Sequence, residues 1–172
     1  MYGSFTQSAT THVGFSFNQE DGTLNDVFKP IKELLPMANP VDFKIYGWDI
    51  SSANLYEAVK RAHVLEPTLI EKLKVDLESI VPMPAILNPD FIASNQADRA
   101  DNVRVGTNAE LIEHIRADIK KAKSENDKVV VLWTANTEMF LLPEINALDD
   151  LEDRIKNNIP LPSSVLYCVA AI

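Results

Sequence analysis

One cysteine, Cys168, occurs in the 172 residues, so no disulfide can form within the chain and no CxxC metal motif exists. Glycine is also scarce. Its five residues, at positions 3, 14, 22, 47 and 106, show neither GxGxxG nor P-loop spacing. Dinucleotide sites use such spacing to bring backbone N–H groups against a pyrophosphate, so the chain's own residues offer no phosphate cradle. No apolar run reaches the ~18 residues that a membrane span needs. The opening "MYGSFTQSATTH" has neither the basic start nor the apolar stretch of a signal peptide. Positive charge is outweighed: 16 Lys and Arg against 25 Asp and Glu give a net charge of -9, with no polybasic block. Nucleic acid and anionic membrane therefore drop out as partners, because phosphates need a basic footprint. An anion could still be held locally through backbone N–H groups and a placed cation.

Catalytic signatures are equally thin. His12, His63 and His114 form no HxxxH or HExxH arrangement, and His63 and His114 fall within amphipathic patterns, which marks all three as structural or solvent-facing. No GxSxG is present. The run "LDDLED" reads as a solvated helix face. Cys168, within "SSVLYCVAAI", is expected to be a buried small hydrophobe, and the cysteine usage points to a reducing, cytoplasmic location.

What the chain does have is 46% hydrophobic and 24% charged residues, the balance of one globular domain with a real core. No repeat or low-complexity tract appears. The first forty residues are the least periodic: "NQEDGTLND" carries turn chemistry, and "DVFKPIKELLPMANP" predicts a short helix closed by Pro36 and Pro40. Residues 42–48 predict a strand, followed by a helix capped by Ser51 or Ser52 and running to about Val64. Pro67 opens a second helix, with Leu69, Ile70, Leu73, Leu77 and Ile80 at helical spacing. "VPMPAILNPDFIASN" is too proline-rich for a central strand and predicts a short strand around Phe91 and Ile92. Thr107 and Glu110 form a capping box before a helix to about Ser124, with Leu111, Ile112, Ile115, Ile119 and Ala122 along one side. Residues 128–133 predict a strand, "ALDDLEDRIKNN" a helix, and "SSVLYCVAAI" either. Helices alternating with solidly apolar strands indicate an α/β fold with a parallel sheet covered on both faces.

Two strands end oddly. "VVVLW" runs into Thr134, Ala135, Asn136 and Thr137, and "KIYGW" into Asp49. Ligands of open parallel sheets bind beyond the carboxyl ends of the strands, where small polar side chains leave room and a carboxylate can accept from ribose hydroxyls. Helix capping explains such residues without any ligand. Taken singly, each motif favours capping; taken together, the two explanations balance.

The stretches "GWDISSANLYEAVKRAHVLE", "NPDFIASNQADRADN" and "DKVVVLWTANTE" closely resemble the eukaryotic-type inositol-3-phosphate synthases, also called myo-inositol-1-phosphate synthases. "YGSFTQSATTHVGF", "LLPMANPVDF" and "PSSVLYCVAAI" resemble the same family in the same order, so the likeness covers nearly the whole chain. It implies a Rossmann-like doubly wound parallel sheet, NAD as cofactor, and glucose 6-phosphate as substrate. The family's reaction is an isomerisation to inositol 3-phosphate by oxidation at C5, enolisation, intramolecular aldol closure and re-reduction. The full-length family also implies a homo-oligomer. Matched residue by residue, Asp49 and the adjacent Ile50 would meet the adenosine ribose, and Ala85 and Ile86 would flank the adenine end. Gln96 and Arg99 would lie along the cofactor, Arg99 near its phosphates, and Thr134, Ala135, Asn136 and Thr137 would line its crevice. Many members have serine where this chain has Ala85.

The family pattern also sets expectations of absence. Its glycine-rich loop and first strand would lie before Met1, and its catalytic lysines and aspartates beyond Ile172. Members continue past "TANTE" with an arginine and an "NDT" segment, where this chain has "MFLLPEINALDDLEDRI". Residues 1–172 are thus expected to be a partial NAD-binding domain, inactive alone. The alternative is a non-catalytic module that binds NAD or pairs with full-length subunits through an open sheet edge.

Overall fold

The computed structural model describes residues 12–18, 24–30 and 42–172, in two compact units, 1–45 and 46–172. In the first, β1 (His12–Asn18) pairs antiparallel with β2 (Leu24–Pro30), in a register running from His12↔Pro30 to Asn18↔Leu24. Of the expected turn "NQEDGTLND", Asn18 ends β1 and Leu24 to Asp26 open β2, and residues 19–23 lie outside the described residues. The helix expected over 26–40 is contradicted at its start, where "DVFKP" belongs to β2. Cross-strand pairing there overrides the local pattern, and Val27 and Phe28 are good strand formers. The rest of that expectation, with Pro36 and Pro40, lies outside the described residues.

The second unit is α/β. β3 (Trp48–Asp49) pairs parallel with β4 (Met83–Pro84), and a parallel bridge joins Ala85 to Val103. The connection between β3 and β4 is helical. α1 (Leu55–Ala62) is capped by Asn54, whose Oδ1 accepts from Glu57 N at 3.0 Å while Glu57 Oε2 accepts from Asn54 N at 3.2 Å. Ser51 and Ser52 are not the caps: Ser51 Oγ accepts from Ala53 N at 3.4 Å, ahead of the helix, and the Ser52 hydroxyl donates to Asp101. The helix stops at His63, whose left-handed φ of 52° ends it just short of Val64.

The single helix expected from Pro67 is two, α2 (Pro67–Lys72) and α3 (Lys74–Ser79). The break at Leu73 brings both pieces to Tyr56. Tyr56 Oη donates to Glu71 at 2.8 Å, and Lys74 Nζ lies 5.3 Å from its ring centre. The strand expected near Phe91 is a 3₁₀ turn, Pro89–Phe91, because Asn88 Oδ1 caps Asp90 N at 3.1 Å and proline cannot donate to a ladder.

After α4 (Ser94–Ala97) comes the longest helix, α5 (Asn108–Ser124), opened by the expected Thr107–Glu110 box. The Thr107 backbone N–H, followed by its hydroxyl, holds the Glu110 carboxyl below its ordinary value. Leu111, Ile112, Ile115 and Ala122 are buried. α6 (Leu148–Lys156) matches the expected amphipathic helix, and the ambiguous C-terminal run is helical, as α7 (Ser163–Ala171). Ile86, Leu111, Ile112, Ile115, Leu161, Leu166, Tyr167 and Ala170 form the core where α5 and α7 meet.

Two expected strands are mostly unformed. Residues 43–47 and 128–133 make no ladder, and only Trp48 and Asp49 of the first pair with a neighbour. Val130 is 79% and Leu132 76% exposed, so among the described residues nothing covers the side of this segment that carries them, although its Trp133 packs against Tyr167. A parallel strand of this composition is built for cover on both faces, which these residues do not supply.

This division predicts a sharp contrast in stability. Ile115, fully buried, should lose about 3 kcal/mol on Ile115→Ala by urea denaturation. Leu132→Ala should cost less than about 0.5 kcal/mol in the same assay.

Candidate functional site

Beyond the carboxyl ends of β3 and β4 lies a crevice of about 740 Å³. Its walls come from distant parts of the chain: Asp49 and Ile50, Ala85 and Ile86, Gln96, Thr134 to Asn136, and the first turns of α7. The size and mixed lining suit an organic ligand.

Each wall has its own fastening. Asp49 ends β3; its Oδ1 accepts from Ser51 N at 2.8 Å, which sets the plane of the carboxylate, and its carbonyl accepts from Asn102 Nδ2 at 3.0 Å. The Ile50 carbonyl accepts from both Asp101 N and Asn102 N at 3.0 Å. Ser52 donates its N–H and hydroxyl to Asp101, each at 2.7 Å, and these bonds hold the Asp101 carboxyl below its ordinary value. The β3 end is therefore a stiff, carboxylate-bearing turn.

Ala85 and Ile86 are 5% and 3% exposed. The Ala85 backbone bonds Asn102 O and Arg104 N at 3.0 and 2.8 Å, and its methyl group cannot donate a side-chain hydrogen bond. Ile86 N–H donates to Tyr167 Oη at 3.0 Å. Burial pushes the Tyr167 phenol up from its ordinary value, partly opposed by that N–H. The Tyr167 ring lies between Trp48, at 5.4 Å, and Trp133, at 5.5 Å between ring centres, both tilted. Trp48 Nε1 donates to Asp118 at 2.8 Å, and Arg104 pairs with the same carboxylate. The crevice floor is thus an aromatic stack tied to α5.

The loop after residue 133 is exposed. Asn136 Nδ2 donates to Gln96 Oε1 at 3.2 Å, joining two sequence-predicted positions, and Met139 N donates to Phe91 O at 2.7 Å. Thr137 lines a neighbouring groove with Met139, Phe140 and Leu141, and Arg99 is exposed in the turn after α4, outside the crevice lining. Cys168 corrects an expectation: it is exposed and lines the crevice, because Leu166, Tyr167 and Ala170 occupy the buried side of α7. His63 and His114 are exposed.

Among the described residues no glycine cradles the crevice: Gly47, beside β3, would meet nothing within 4 Å if it carried a Cβ.

Residues 1–172 match the NAD-binding family model described as myo-inositol-1-phosphate synthase. The chain belongs to the myo-inositol-1-phosphate synthase family. It is 44% identical to inositol-3-phosphate synthase 1 of Oryza sativa subsp. japonica, over 99% of this chain and 34% of that protein. Inositol-3-phosphate synthase 1-A of Xenopus laevis is 46% identical, over 99% of this chain and 30% of its own length. The crystal structure of inositol-3-phosphate synthase from Caenorhabditis elegans matches with a TM-score of 0.80 at 46% identity, over 95% of this chain and 33% of that one. The chain therefore spans about a third of the length of these relatives. The family makes the α/β arrangement a Rossmann-like, NAD-binding one.

Sequence reasoning missed Glu138, Ser163, Ser164 and Tyr167, all of which line the crevice. Glu138 is the last letter of "TANTE", but its partners lie 25 and 26 residues away. Tyr167 lies mid-helix with no local signal.

Removing the Tyr167 hydroxyl should leave the buried Ile86 N–H unpaired. Tyr167→Phe is expected to cost about 1–3 kcal/mol in thermal or urea unfolding. Because the ring remains, tryptophan emission of the folded variant should match the parent.

Proposed function

We propose that this chain forms the adenosine side of the NAD site of an inositol-3-phosphate synthase. The observation that carries the reading is the Asp49 carboxylate, fixed by an Asx-type turn at the end of β3 and opening on the crevice with Ala85 and Ile86. A carboxylate so placed can accept from both ribose hydroxyls. Ile50 packs beside the ribose, and Ala85 and Ile86 flank the adenine end. Gln96 and the loop of Thr134, Ala135, Asn136 and Thr137 run along the cofactor, with Arg99 near its phosphates. When bound, NAD would supply hydride removal and return. The chain's own residues orient it and exclude water from its adenosine end.

The whole reaction is the isomerisation of glucose 6-phosphate to 1D-myo-inositol 3-phosphate, in a cytoplasmic homo-oligomer. This chain alone does not perform it. None of the crevice groups is a lysine or arginine able to stabilise an enolate, and loss of one such partner typically costs about 3 kcal/mol in the transition state.

A second reading rests on the segment 128–133, apolar, largely exposed and paired with no described neighbour: the chain is a non-catalytic module that associates with full-length subunits through an unpaired edge.

Calorimetric titration with NAD should show binding that Asp49→Ala weakens about tenfold or more, a loss of ~1.4 kcal/mol. Binding untouched by the substitution would remove the ribose assignment. Glucose 6-phosphate with NAD should give no cyclisation by this chain, and turnover would overturn the inactive reading. Light scattering with a full-length inositol-3-phosphate synthase decides the second reading: a mixed complex favours it, and two separate species dismiss it.

A further inference from the structure

α7 begins with a deficit. Its N-cap is Pro162, which has no side-chain acceptor, so the first N–H groups of the helix need a partner from elsewhere. Glu138 provides it. One carboxylate oxygen accepts from Ser163 N at 2.7 Å; the other accepts from Ser164 N at 3.1 Å and from the Ser164 hydroxyl. These are charge-assisted bonds at the positive end of a helix, the strong kind.

The same carboxylate also fastens the crevice loop. Residues 134–137 are exposed and form no helix or strand. Besides Glu138, the Asn136–Gln96 bond and the Met139 N–H to Phe91 O tie this segment to the rest of the unit. Around the same helix start, Ser163 Oγ accepts from Asn88 N at 3.1 Å, and Asn88 Nδ2 donates to Leu161 O at 3.1 Å. The segments carrying Ala85–Ile86 and Thr134–Thr137 are thus both referenced to the first turn of α7.

We propose that Glu138 is a positioning residue, whose carboxylate locks the 134–137 loop to the start of α7 and so sets that wall of the crevice for the cofactor. The cofactor part of this inference rests on the function proposed above. Capping and positioning are separable, because a free anion can cap a helix but cannot tether a loop.

The test is Glu138→Ala with and without added acetate, followed by thermal unfolding and by NAD titration through quenching of Trp48 and Trp133. Expected are a lowered Tm that acetate restores and an NAD affinity, about tenfold weaker, that acetate does not restore. Recovery of both by acetate, or parent-like affinity without it, overturns the proposal. Should the parent chain not bind NAD, the functional reading fails while Glu138 remains testable by amide hydrogen exchange. Faster exchange of the Met139 amide, which ties the loop to Phe91 O, in Glu138→Ala with acetate supports the lock, and unchanged exchange overturns it. If the alanine variant does not fold, Glu138→Gln, which keeps one acceptor oxygen, is read by the same exchange measurement and against the same two outcomes.

Discussion

The seating of α7 on α5 is the constraint on which the crevice depends. Leu161, Leu166, Tyr167 and Ala170 pack with Ile112 and Ile115, and this contact brings the Tyr167 hydroxyl to the buried Ile86 N–H. A buried donor needs an acceptor, so the hydrophobic seat and the hydrogen bond support each other. From that helix the other walls are measured: Ile86 through Tyr167, Asn88 through Ser163, and the strand-end loop through Glu138. The aromatic stack of Trp48, Tyr167 and Trp133 lies along the floor they share.

What could be read from the residues alone was whatever depends on neighbours in sequence. The Thr107–Glu110 box and the apolar side of α5 are local, and both appear where the pattern placed them. Asp49, at the end of β3, and Thr134 to Asn136, after a segment that forms no ladder, line the same crevice. The failures share the opposite cause. The break at Leu73 lies where both helix pieces reach Tyr56, and Asn54 caps the helix while the Ser52 hydroxyl is held by Asp101, 49 residues away. Glu138 capping α7 across 25 residues has no sequence period to betray it.

The segment 128–133 is the clearest discord between composition and surroundings. Its valines and leucine suit a central parallel strand, yet Val130 and Leu132 are largely exposed. The matched relatives are about three times as long as this chain. The described residues build the crevice walls firmly, through backbone and carboxylate bonds. They build neither a glycine cradle nor a covered central strand. That contrast is what the proposed role, recognition of one half of the cofactor, accounts for.

Amide and indole NMR spectra recorded during titration with adenosine, and separately with nicotinamide mononucleotide, test that claim most directly. Adenosine should perturb Asp49, Ile50, Ala85 and Ile86 together with the indole signals of Trp48 and Trp133, the two tryptophans of the chain. Nicotinamide mononucleotide should leave those signals unmoved. Equal responses to both ligands, or shifts confined to residues outside the crevice, would contradict the account.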